Sequence, residues 1–197
     1  MTLCATFVAL VLSLSLPAGA AGTKIRDSTY GFSFTLPKSW IRIPLNGDDI
    51  SGILASATKN DPRLKNVLSS QVRSAVKDGI KVFVFGPAHD GFFSNVSVYV
   101  TSSKGQLSGT PFLHSTDAQV KIAYAEAGFK DVATSITRLS MGQVLIATYR
   151  ISNVSPAYIE QIYVEHKTRV DIVTVTTTSL TQDQALLRMV DHSWSWL

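Results

Sequence analysis

Past Cys4 the 197-residue chain contains no cysteine. Every later segment must therefore hold together without a disulfide, and no thiolate is on hand as a nucleophile or a metal ligand. Clustered positive charge is lacking too. The 18 Lys and Arg exceed the 14 Asp and Glu by a formal +4, yet they are scattered, with no basic run and no interleaving with aromatics. That spacing argues against nucleic acid as a partner. The surplus suits weak contact with an anionic surface at most. Also missing are the Gly-x-Ser-x-Gly elbow, the His-Glu-x-x-His helix, the Walker loop and the Gly-x-Gly-x-x-Gly loop. Catalytic sets drawn from distant segments escape such a search, so a hydrolase-type enzyme with an unmarked site stays as an alternative. No cofactor or metal is expected.

Residues 1–22 carry no charge and hold an apolar core from Phe7 to Leu16, followed by Pro17 and Ala18-Gly19-Ala20. The run is shorter than the ~20 residues a bilayer core requires. It reads as a secretory signal peptide over residues 1–20, cut after Ala20. Cys4 precedes the apolar core instead of following it, the wrong place for lipid attachment after cleavage. The product is expected to be soluble, in the periplasm or outside the cell. Removing 20 residues from 197 leaves 177, enough for one domain that buries about 70% of the surface its unfolded chain exposes.

In YGFSFTLPKSW (30–40), Phe32, Phe34 and Leu36 share one parity and therefore one face of a strand. Pro37 ends that strand. Trp40, Ile41, Ile43 and Leu45 start a second extended run, which predicts an N-terminal hairpin with Trp40 at its corner. At ~25 cal/mol per Å² and ~200 Å² of ring surface, burying Trp40 contributes on the order of 5 kcal/mol at most. Two helices follow: a short one about Ile50, Ile53, Leu54 and Ala57, then one capped by Asp61 and ended by Gly79. The second has an apolar face of Leu64, Val67, Leu68, Val72, Ala75 and Val76. The period then drops to two. Strands at 80–86 and 93–102 flank a loop of Pro87-Ala88-His89-Asp90-Gly91, and Val96, Val98 and Val100 alternate with Asn95, Ser97 and Tyr99. This predicts an antiparallel sheet with one face buried and one wet.

After a loop through residue 115, Thr116 and Gln119 are spaced as a capping box for a third helix, packed by Val120, Ala123, Tyr124 and Ala127 and ended by Gly128. Strands at 129–139, 143–152, 157–167 and 169–179 follow on connections too short for parallel crossovers. A last helix is expected from Thr181, with Gln184 as a second capping box and Ala185, Leu186, Met189 and Val190 as its packed face. The chain closes on Trp194 and Trp196.

The opening Tyr30, Gly31, Phe32, Phe34, Leu36, Pro37 and Trp40, the EAGFKDV junction at 126–132 and the final helix running into SWSW resemble the PsbP-like fold superfamily. That superfamily includes PsbP, the Ran-binding Mog protein and bacterial envelope proteins of the DcrB and LpqN kinds. The resemblance covers residues 21–197. It implies a single α+β domain in which an antiparallel β-sheet is sandwiched by α-helices, and members that bind proteins or ligands instead of performing chemistry. No functional residue set is shared across it, so none carries over.

Candidate sites rest on the residues alone. His89 and Asp90, beside Phe92 and Phe93, sit at a Gly- and Pro-bounded hairpin tip, where an imidazole and a carboxylate form a weak metal or proton site less often than they hydrogen-bond to turn backbone. His114 stands in the other Phe-bearing loop, at 109–114. Glu160 and His166 share a strand face but lie about 20 Å apart at ~3.3 Å per residue, too far to chelate one ion. The sequence therefore favours a secreted, non-catalytic binding or accessory protein of the bacterial envelope or extracellular space, with a protein partner or small ligand. A peripheral membrane-surface binder is a second alternative to set beside the enzyme.

Overall fold

A computed structural model describes residues 22–45, 50–59, 62, 64–89, 91–103, 108–151 and 157–197. The expected signal peptide, Asp61 and Asp90 lie outside the described residues. In chain order the elements are β1 (Thr23–Asp27), β2 (Phe32–Leu36), β3 (Ile41–Ile43), α1 (Ile50–Ala57), α2 (Leu64–Lys77), β4 (Val82–His89) and β5 (Phe92–Ser102). Then come α3 (Thr110–Glu126), β6 (Lys130–Leu139), β7 (Gly142–Ile151), β8 (Ala157–His166), β9 (Arg169–Thr177), α4 (Leu180–Ser193) and β10 (Ser195–Trp196).

Every strand pairing is antiparallel. The strands form two sheets: a three-stranded one in the order β1-β2-β10 and a seven-stranded one in the order β3-β4-β5-β9-β8-β7-β6. The expected N-terminal hairpin is corrected on this point. β2 folds back on β1, upstream, while β3 crosses to the large sheet and pairs with β4. The turn closed by Trp40 N–H donating to the Pro37 carbonyl at 3.0 Å carries the chain from one sheet to the other. Trp40 is 5% exposed and lies in the core between the sheets. Its ring covers Gly86 of β4, where an added Cβ would come within 2.7 Å of Cε2.

Helices pack on both faces of the large sheet, so the bare wet face read from the alternation of β5 is also corrected. On one face Val84, Val96, Val98, Val144, Ile162, Val173 and Val175 meet the small sheet and α4. There Phe32, Phe34 and Leu36 are fully buried, and Trp194 stacks on Phe32 and Phe34 at 4.9 and 5.6 Å between centroids. On the other face Phe83, Phe85 and Phe93 meet α1 and α2, and Leu145, Ala147, Tyr163 and Val170 meet α3. Period-two alternation shows only that one parity is more polar; whether a helix lands on that parity is a tertiary matter.

Four local expectations shift. α3 starts at Thr110 instead of Thr116: Gly109 takes the cap position at φ 64, Pro111 fills the first turn, and no side chain caps the helix. Phe112 and Leu113 are thus buried helical residues, while Ala123 and Ala127 are exposed. α4 starts at Leu180 after Ser179 with no side-chain cap bond, in place of the Thr181–Gln184 box. β4 runs on through Pro87 to His89, with the register slipping between Phe85 and Ala88. Val76, expected on the packed face of α2, is exposed. No helix among the described residues is long and apolar enough to cross a membrane.

Candidate functional site

The structure keeps His89 and Phe92 paired across the β4–β5 turn and sets His114 apart from them. His89 is an exposed residue at the end of β4, and Phe92 is half-buried. Phe93 is core: 2% exposed, it meets Phe85 edge-on at 5.6 Å between centroids. His114 lies on the exposed flank of α3, not in a loop. α3 packs over β6 and β7, and β5, β9 and β8 intervene between β7 and β4, so His114 and the 89–93 tip do not converge. His166 stacks on Trp196 at 4.0 Å between centroids.

A site does form where sequence reasoning placed a wet surface. Between the parts of the sheet covered by α2 and by α3, the face is open as a trough of about 1020 Å³. Strand register lays out its floor. Phe83, Ser97, Thr174 and Gln161 stand side by side on β4, β5, β9 and β8, and Asn95, Thr176 and Ile159 form the next row. Neighbouring strands lie about 4.8 Å apart, so the neutral polar members of these rows, Asn95, Ser97, Thr174, Thr176 and Gln161, form a compact grid. Val67, Gln71 and Ala75 of α2 make one wall, at the spacing of four that keeps a helix face in line. Phe83, Phe92, Ile151, Ala157, Ile159 and Ile172 make most of the remaining lining apolar.

Hydrogen bonds fix the grid at both ends. Gln161 Oε1 accepts from Tyr163 at 2.9 Å and from Tyr124 of α3, and Gln161 Nε2 donates to Thr174 Oγ1 at 3.0 Å. Burial raises the phenol pKa of Tyr124 and of Tyr163 well above the ordinary value, so both stay neutral donors. At the α2 end the Phe93 carbonyl accepts from Gln71 Nε2 at 3.3 Å and from Asn95 Nδ2 at 3.4 Å. Among the described lining residues the only carboxylate is Asp78, which accepts from Ser74 Oγ at 3.0 Å, and no Lys, Arg or His is present. No group of three or more His, Cys, Asp or Glu able to hold a metal stands together among the described residues.

A second polar centre lies on the opposite face of the sheet. Asp183 of α4 and Glu160 of β8 are 1% and 7% exposed. Burial first, and then the Glu160 charge, push the Asp183 carboxyl up to about 8; burial likewise raises Glu160, with Arg188 opposing. Closed beneath α4, the pair is inaccessible to substrate and serves as part of the helix–sheet interface.

No family model matches the sequence, and no curated protein matches it. Solved structures do. The solution structure of cyanobacterial PsbP (CyanoP) from Synechocystis sp. PCC 6803 superposes with a TM-score of 0.53 at 12% identity, covering 94% of this chain and 99% of that one. A Bacteroides thetaiotaomicron VPI-5482 crystal structure gives 0.51 at 9% identity over 89% of this chain, which spans 48% of that longer one. LpqN of Mycobacterium tuberculosis, involved in cell envelope biogenesis, gives 0.48 at 9% identity, covering 90% and 86% of the two chains.

Proposed function

We propose that this chain, whose fold is PsbP-like, is a secreted, non-catalytic binding or accessory protein of the bacterial envelope or extracellular space, with its ligand held in the trough over β5, β9 and β8. One observation carries the reading: a concavity of about 1020 Å³, mostly apolar, on whose floor Asn95, Ser97, Gln161, Thr174 and Thr176 converge. Size, apolar lining and a few fixed polar groups are the features of ligand sites in general. The apolar core from Phe7 to Leu16, followed by Pro17 and Ala18-Gly19-Ala20, supports export.

The hydrolase alternative finds less support there. Acid–base or nucleophilic catalysis needs titratable groups within hydrogen-bond reach of one another. The described lining offers Asp78 alone as a charged group, at the far end of α2 and engaged with Ser74. The neutral lining also suits an uncharged ligand better than an anionic headgroup.

The test is titration of the purified protein with Nile red, a neutral apolar dye whose fluorescence reports transfer out of water. Saturable binding is expected, and Thr174→Trp, which places an indole across the middle of the floor, should weaken it at least tenfold while the far-UV spectrum is kept. Binding unchanged in that variant would place the dye elsewhere and remove the proposal.

A further inference from the structure

The α2 end of the trough narrows what it can accept. At Phe93 the β4–β5 ladder is interrupted by the register slip between Phe85 and Ala88. The Phe93 carbonyl there receives the amide groups of both Gln71 and Asn95. With both NH2 groups turned to one carbonyl, the two amide oxygens face away from it. Gln71 Oε1 is buried without a hydrogen-bond partner, and Asn95 is 8% exposed; both residues line the trough. A buried acceptor left without a donor is destabilising, and in a binding cleft it marks a place where a ligand's donor belongs.

Charge is excluded on both sides. An anion would face two amide oxygens and find no Lys, Arg or His among the described lining residues. A cation would lose its hydration in a mainly apolar cleft whose one carboxylate, Asp78, lies about 10 Å along α2 from Gln71 at 1.5 Å rise per residue. A primary amide would bring a carbonyl of its own against the same two oxygens. A hydroxyl brings one proton and little else.

Resting on the reading that the trough binds at all, we propose that this end selects an uncharged molecule with an apolar body and a hydroxyl head, whose proton goes to Gln71 Oε1 beside the Asn95 amide. Phe83, Phe92 and the isoleucines of β8 and β9 take the apolar body. Gln71 is then the residue that sets specificity, and the rest of the trough supplies affinity.

Three probes of matched chain length test this by displacement of Nile red from the intact protein: decanol, decyl methyl ether and decanoate. Decanol should bind about tenfold more tightly than the ether, as the loss of one hydrogen bond to a buried acceptor dictates, and decanoate should bind more weakly than either. Gln71→Leu, similar in volume, should bring decanol and the ether to equal affinity without abolishing either. Equal binding of decanol and ether to the unaltered protein overturns the hydroxyl selection while leaving the trough as a binding site. Failure of all three to displace the dye overturns the trough reading and this inference with it. Because the unaltered protein alone separates these outcomes, a folding defect in Gln71→Leu would not blunt the test.

Discussion

At the scale of single residues, Trp40 and Gly86 are one feature. A tryptophan this large lies flat on the large sheet only where β4 offers no side chain, and an alanine Cβ at position 86 would come within 2.7 Å of the indole. Gly86→Ala should cost about 1–3 kcal/mol, the usual range for overpacking, and the loss should shrink when Trp40→Leu is present too. Urea midpoints of the single and double variants measure this; simple additivity would mean that the two sites do not touch. The two tip phenylalanines part company in the same way. Phe93→Ala should cost about 3–5 kcal/mol as a core truncation. Phe92→Ala should leave the midpoint within about 0.5 kcal/mol, the range of an ordinary surface change, and instead lower Nile red affinity. Burial of Trp40, Phe32, Phe34 and Leu36 was legible from parity and size alone. The split between Phe92 and Phe93 was not, because it depends on where α2 lies.

At the scale of elements, the Asp183–Glu160 pair ties the fit of α4 on the sheet to pH. The folded-state pKa of Asp183, raised to about 8 from an ordinary 3.8, means that the folded protein keeps a proton the unfolded chain has released across that interval. Stability should therefore fall as pH rises from about 4 to about 8 and then level off; Glu160, also raised, adds in the same direction. Asp183→Asn removes the larger part of this slope. Its urea midpoint should gain on the parent between pH 5 and pH 8, and parallel pH profiles would show that Asp183 ionises freely in the fold. The elements themselves were largely written in the sequence. The β6–β9 meander follows from four alternating segments with connections too short to cross over. The start of α3 was hidden because Gly109 and Pro111, read as loop residues, in fact open the helix, with Thr116 falling inside it. β1 was hidden because a single buried aliphatic, Ile25, stands between exposed Lys24 and Arg26.

At the scale of the whole molecule, the sandwich makes a site out of residues that look like solvent-facing ones. Asn95 and Ser97 come from β5 and Gln161, Thr174 and Thr176 from the β8–β9 hairpin, far from it in sequence, and only the order β5-β9-β8 brings them onto one floor. No spacing within one segment could reveal that. What the sequence did show is the polarity of those positions, and their neutrality is what the trough retains. Fold likeness at 12% identity and below adds the architecture and leaves the chemistry to these side chains.

The account turns on whether ligand enters between α2 and α3 onto that floor. Amide chemical-shift mapping of the protein titrated with decanol decides this directly. Saturable shifts should concentrate in residues 67–77 of α2, 95–99 of β5, 157–161 of β8 and 172–176 of β9, with α4 and the small sheet unmoved. Shifts confined to the α4 face, or scattered over the surface without saturating, would contradict it.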